Sequence, residues 1–138
     1  MRGGYTPTVL VVDDNADTRA VVRWMLERWG YRVVEAADGA EAFEATVASR
    51  PDLVLMDLSM PGVDGYDAIR SIRAREEFAS LPIIAVTAFD RADARDGAAL
   101  AGCDHFLSKP IDYYRLQALA ERLTKSARAG GDTGQSQG

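Results

Sequence analysis

The sequence predicts an α/β domain built on a parallel β-sheet with helices packed on both of its faces. Three observations lead there. Short apolar runs rich in β-branched residues alternate with longer stretches of helical periodicity. The runs are apolar at consecutive positions, as strands covered on both sides require. The segments between runs are long enough for crossover helices, which makes the strands parallel and the connections right-handed.

Val9–Val12 supplies the first strand. Val21, Val22, Met25, Leu26 and Trp29 fall on one helical stripe, and Gly30 stands at the stop position beyond it. Val33–Val34 is a short second strand. Asp38 caps a second helix running through Phe43 and Val47, with Glu41 at its third position. Leu53–Met56 reads as the third strand, and Tyr66, Ile69 and Ile72 mark the third helix. Ile83–Val86 is the fourth strand, and Asp90 caps a fourth helix whose interior Gly97 costs about 1 kcal/mol relative to alanine. His105–Leu107 is the last strand. Leu116, Leu119, Ala120 and Leu123 form the final stripe, behind a cap at Asp112. From Thr124 the chain reads TKSARAGGDTGQSQG, without a large apolar residue, which is the composition of a disordered tail. The expected organisation is an N-terminal extension over 1–7, one folded domain over 8–123 and a tail over 124–138.

Composition narrows the function. The 138 residues carry 16 basic and 21 acidic side chains, a net charge of −5, with no basic patch to neutralise nucleic-acid phosphates. Cys103 is the single cysteine, which rules out an internal disulfide and a thiolate metal cage. The opening MRGGYTPT lacks an apolar signal region, and no apolar run approaches a membrane span. The expectation is a cytoplasmic domain that binds neither nucleic acid nor membrane.

The stretch VLMDLSMPGVDG carries the third strand out of the core and ends it on Asp57. Asp13 and Asp14 follow the first strand, Thr87 ends the fourth and Lys109 follows the fifth. In a parallel sheet these ends share one edge, the edge at which open α/β sheets bind ligands. Two unit charges about 4 Å apart repel by about 4 kcal/mol at an effective dielectric near 20, so three clustered carboxylates call for a cation. One lysine ammonium cannot balance three acids. Mg²⁺ fits, because it prefers oxygen ligands and is held by one or two carboxylates together with phosphate. Mg²⁺ beside a carboxylate, a hydroxyl and an ammonium suits phosphoryl transfer, which depends on positioning and neutralisation of oxygens. Asp57, alone at the central strand, is the expected nucleophile, and the Asp13–Asp14 pair suits the metal. Thr87 and Lys109 are placed to meet phosphoryl oxygens.

Taken singly, some of these residues read otherwise. Asp13 and Asp14 alone suit helix capping equally well. His105 reads as a partly exposed structural residue, Trp24 and Trp29 as packing residues. Tyr113 and Tyr114 read either as surface anchors for a partner or as cover for the end of the last helix.

The segments VVDDN, MDLSMPGVDG, AVTA and LSKP, in this order and spacing, resemble the receiver domain of bacterial two-component response regulators, of the single-domain chemotaxis or phosphorelay type. The resemblance spans Thr8 to about Leu123. It implies a three-layer (βα)5 flavodoxin-like fold with strand order 2-1-3-4-5. It implies that Asp57 takes a phosphoryl group from a phosphohistidine on a sensor histidine kinase or a histidine phosphotransfer protein. By the same resemblance Asp14, Asp57 and the main-chain oxygen of Ser59 ligate Mg²⁺, with Asp13 acting through water. The Lys109–Pro110 bond is expected to be cis. Thr87 and Phe106 are the implied switch pair, reshaping the face of the fourth helix, fifth strand and fifth helix for a protein partner. Phe106 lacks the hydroxyl of a tyrosine, so its switching rests on packing. Ser59 and Phe89 fall at positions that tune phosphate lifetime, and the Phe89 ring would screen attacking water. The alanine-rich fourth helix, weakened by Gly97, is expected to shift on phosphorylation. The protein is then a stand-alone phosphoacceptor, monomeric or dimerising on phosphorylation, and not an enzyme acting on other substrates.

Three other readings compete. A pseudo-receiver would keep the fold without the chemistry, against which the full set of acids, Thr87 and Lys109 speaks. An aspartyl phosphatase of the haloacid-dehalogenase type would carry a second Asp where Ser59 stands. A nucleotide-binding Rossmann or P-loop protein would need a Gly-rich loop after the first strand, and none is present.

Overall fold

The structure, a computed structural model, describes residues 5–58, 65–87 and 102–133, with side chains as far as residue 125. Five strands, β1 (Thr8–Val12), β2 (Arg32–Ala36), β3 (Leu53–Asp57), β4 (Ile83–Thr87) and β5 (His105–Ser108), form a parallel sheet in the order β2-β1-β3-β4-β5. This is the flavodoxin-like order the resemblance implied. The strands outrun their apolar runs because the ladder follows the backbone. Thus β2 pairs with β1 from Thr8↔Arg32 to Val12↔Ala36, although only Val33 and Val34 mark it by hydropathy.

Alternation along the strands divides the core into two layers. Val9, Val11, Leu53, Leu55, Ile84, Val86 and Leu107 face α1 (Ala16–Arg28) and the C-terminal helix (Tyr113–Thr133). Leu10, Val12, Val54, Met56 and Ile83 face α2 (Gly39–Ser49) and α3 (Gly65–Arg73). The expected fourth helix, with Asp90 and Gly97, lies outside the described residues, as do Ser59 and Phe89.

The helix ends follow their sequence signals. Gly30 adopts φ +99°, Tyr31 N–H donates to Leu26 O at 3.0 Å and Gly30 N–H to Glu27 O at 3.1 Å, the paired bonds of a Schellman stop. Asp38 accepts from Glu41 N–H at 2.8 Å, while Glu41 reaches one residue beyond the cap to Ala37 N–H, also at 2.8 Å. Asp112 accepts from Tyr114 N–H at 3.0 Å at the start of the C-terminal helix.

One expectation needs correction. Val21 and Trp24 are 51% and 57% exposed, so α1 buries only Val22 and Leu26 fully, with Trp29 packed at the edge of the core. Val21 and Trp24 lie on the solvent side of the same cylinder, where the Arg28 guanidinium sits 4.7 Å from the Trp24 ring centre. The C-terminal helix extends past Leu123. Thr124 is buried, its hydroxyl donates to Ala120 O at 2.7 Å, and the helix continues to Thr133. A threonine satisfied in this way packs like an apolar residue, which a search for large apolar side chains overlooks. Two bonds tie the N-terminal extension to the domain. Tyr5 donates its hydroxyl to Asp52, and Pro7 O accepts from Arg32 N–H at 2.9 Å.

At the amino ends of β4 and β5, Arg73 of α3 donates to Gly102 O, Phe78 O and Asp104 Oδ2, each at 2.8 Å. Cys103 lies in this corner, partly buried. Burial first, then the Asp104 carboxylate, pushes its thiol up to about 11. No helix among the described residues is long and apolar enough to cross a membrane.

Candidate functional site

Backbone bonds beyond the strands deliver the site residues to the carboxyl edge. Asp13 N–H donates to Ala36 O at 3.1 Å, carrying the β1–β2 ladder one residue past Val12. Asp57 is the last residue of β3, paired with Val86, and Leu58 N–H donates to Val86 O at 2.8 Å just beyond it. Lys109 N–H donates to Thr87 O at 2.8 Å, immediately before a Lys109–Pro110 bond that is cis as expected. β1 and β3 are neighbours from which the chain winds in opposite directions, so Asp13 and Asp57 flank the crevice where such sheets take ligands.

Asn15 decides between capping and function for the acidic pair. It occupies the N-cap of α1, its side chain accepting from Thr18 N–H at 3.0 Å. The cap is filled, and the Asp13 and Asp14 carboxylates are left to the site. One oxygen from each of Asp13, Asp14 and Asp57 can be chosen so that all three lie within 4.8 Å of one another. Asp13 and Asp57 are buried, 6% and 3% exposed, and Asp14 is exposed at the mouth. Lys109 Nζ donates to Asp57 Oδ2 at 3.1 Å and lies 3.7 Å from Asp13 Oδ2.

Burial holds the Asp13 carboxyl above the ordinary carboxylate range, and the Asp57 charge adds to this. The Asn15 N–H, 2.9 Å from Asp13 Oδ1, and the Lys109 ammonium pull the other way without cancelling it. Three carboxylates against one ammonium leave the pocket negative. Hard oxygen donors this close together fit a small divalent cation of the Mg²⁺ kind.

Thr87 is buried at the end of β4. Register pairs Ala85 with Phe106 and Thr87 with Ser108, so alternation puts Thr87 and the partly buried Phe106 on one face of the sheet. His105 is partly exposed on β5. Tyr114 is 88% exposed, and Tyr113 packs at the edge of the core.

The sequence reading missed residues that support the site without showing a chemical signature. Gly65 opens α3 against the end of β3, where an added Cβ would meet Leu58 Cδ2 at 2.9 Å and Asp57 O at 3.0 Å. Arg19 and Glu35 hold the β1–α1 loop. Asn15 alone had a readable signal, a capping residue type immediately before a helix.

A flavodoxin-like sheet with three acids and a lysine at its carboxyl edge defines the receiver class, a phosphoacceptor signalling module rather than a true enzyme. The sequence profile of the response regulator receiver domain matches residues 9–121, and the chain belongs to that family. It is 34% identical to the polar-differentiation response regulator DivK of Brucella ovis over 111 residues, 80% of this chain and 90% of that one. It is 37% identical to the response regulator Rre1 of Synechocystis over 128 residues, 92% of this chain but 55% of Rre1, so it spans about half of that relative's length. Among solved structures it matches the receiver domain of the sensor histidine kinase PA1611 of Pseudomonas aeruginosa, with a TM-score of 0.81 and 37% identity over 88% of this chain and 99% of that one. That domain holds a magnesium ion coordinated in its active-site cleft.

Proposed function

We propose that Asp57 accepts a phosphoryl group from a phosphohistidine, carried by a sensor histidine kinase or a histidine phosphotransfer protein. The observation that carries this reading is the buried Asp57 carboxylate, 3.1 Å from the Lys109 ammonium and clustered with Asp13 and Asp14. An Asp57 carboxylate oxygen forms the new O–P bond as the P–N bond to histidine breaks, and the departing imidazole takes up a proton from water. Asp14, Asp57 and the main-chain oxygen of Ser59 would hold Mg²⁺, with Asp13 acting through water. The ion would neutralise the phosphoryl oxygens during transfer.

Lys109 is suited to pair with one phosphoryl oxygen and Thr87 to donate to another. Thr87 moving toward the phosphoryl group would leave space for the Phe106 ring, because the two share a face of adjacent strands. The output is then a changed surface around β5, the C-terminal helix and the segment before β5, read by a protein partner. Donors of this kind are charged from ATP, which favours a cytoplasmic exchange. The receiver catalyses only its own phosphorylation and dephosphorylation.

The test is intact mass after incubation with acetyl phosphate and Mg²⁺. The expected result is the mass of one added phosphoryl group, lost in EDTA and lost in Asp57→Asn. A chain that stays unmodified by acetyl phosphate, and by a phosphorylated histidine donor, would overturn the reading.

A further inference from the structure

The loop that carries Asp13 and Asp14 is gripped from outside the acidic pocket by one side chain. Arg19, one turn into α1 and only 17% exposed, donates from Nη1 to the main-chain oxygen of Asp13 at 2.8 Å. Its Nε donates to Glu35 Oε1 on β2 at 2.9 Å, and Glu35 is braced in turn by Arg23 Nη1 at 2.7 Å. Asp13 N–H is already bonded to Ala36 O. The Asp13 backbone is therefore held on both sides, by β2 through its N–H and by Arg19 through its C=O. The C=O lies in the peptide plane that joins Asp13 to Asp14. With both flanking planes held, the direction in which the Asp13 carboxylate leaves the chain is set, and so is the point from which Asp14 departs. A planar guanidinium can serve two acceptors at set angles, as a lysine ammonium on a flexible stem cannot.

We propose that Arg19, anchored by Glu35, is a positioning residue that sets the metal affinity of the acidic pocket by fixing the Asp13–Asp14 peptide plane. The inference rests on the reading above that the pocket takes Mg²⁺. Charge and positioning make opposite demands here. A positive side chain near a cation site weakens cation binding by Coulomb's law, so its removal should tighten binding. If positioning dominates, removal loosens it. The sign of the change separates the two.

The experiment is calorimetric titration of Mg²⁺ into the full chain, with thermal melts to establish folding. Arg19→Met is expected to bind Mg²⁺ about tenfold more weakly, the size of effect seen when a group that orients a metal ligand is lost. Arg23→Met removes an equal charge and a Glu35 partner but no bond to the loop, and is expected to leave the affinity unchanged. Arg19→Lys keeps the charge without the fork and is expected to fall between Arg19→Met and the wild type. Unchanged or tighter binding by Arg19→Met overturns the proposal, and so does equal weakening by Arg23→Met. Should Arg19→Met not fold, wild-type affinity in Arg19→Lys overturns it in the same way. A wild-type chain that binds no Mg²⁺ removes both this inference and the function on which it rests. Wild-type binding with no response at position 19 removes this inference alone.

Discussion

Burial and the neighbouring Asp57 charge raise the Asp13 carboxyl, so without a cation the folded chain carries an ionised group that the unfolded chain accommodates more easily. The native state binds this proton more tightly, and the group's contribution to stability falls as pH rises through the window above the usual carboxylate range. Removing the charge should therefore stabilise the metal-free protein. Asp13→Asn is expected to melt about 2–5 °C above wild type in EDTA. A lower melting temperature would mean that Asp13 serves the fold. Glu35 behaves oppositely, since Arg23 first and Arg19 next hold its carboxyl below the ordinary range. Its stabilisation is present above about pH 4.3, the unfolded value for glutamate, and is lost as pH falls through the folded value. Because the pair is partly exposed, its worth stays under about 1 kcal/mol. Glu35→Gln should melt below wild type at neutral pH and converge with it in acid. The difference between legible and hidden residues has a physical cause at this level. Asp13, Asp14, Asp57, Thr87 and Lys109 could be read because polar groups at the ends of apolar strands have no structural excuse. Arg19 could not, because its acceptors are a main-chain oxygen and a carboxylate on another element.

Apolar runs and capping residues made every described strand and α-helix visible in outline, but not their full lengths and not the short 3-10 turn at Glu76–Phe78. The ends of β2 are set by pairing to β1, and the C-terminal helix runs on past Leu123 through the buried Thr124, and neither leaves a hydropathy signal. The junction between β3 and α3 shows how closely an element can be bound to the site. Gly65 is buried, and a methyl group there would stand 2.9 Å from Leu58 Cδ2, 3.0 Å from Asp57 O and 3.1 Å from Met56 Cγ. The main-chain oxygen cannot give way without moving Asp57, the proposed phosphoacceptor. Gly65→Ala is expected to lose about 1–3 kcal/mol in urea titrations, the usual cost of overpacking. It should also slow phosphorylation by acetyl phosphate. An unchanged urea midpoint would show that α3 can shift outward freely.

The order of the strands was the one feature of the whole molecule that periodicity could not supply, since apolar runs name strands without naming neighbours. It entered through the resemblance and is the order found. That order puts acids from two distant segments into one pocket, so a cation bound there bridges β1 and β3 across the sheet. Binding to the folded state alone stabilises the entire domain by mass action, about 2.7 kcal/mol when free ion is a hundred times the dissociation constant. Mg²⁺ is therefore expected to raise the melting temperature in proportion to the logarithm of its concentration, and Asp57→Asn to lose most of the rise. The remote corner around Arg73 has a practical consequence. The only sulfhydryl in the chain is shielded there and held to about 11, so at pH 8 little of it is thiolate. Maleimide dyes should react slowly with wild type and quickly with Tyr114→Cys on the open helix surface. A single fluorophore could then be attached beside the proposed output face without first deleting the native cysteine.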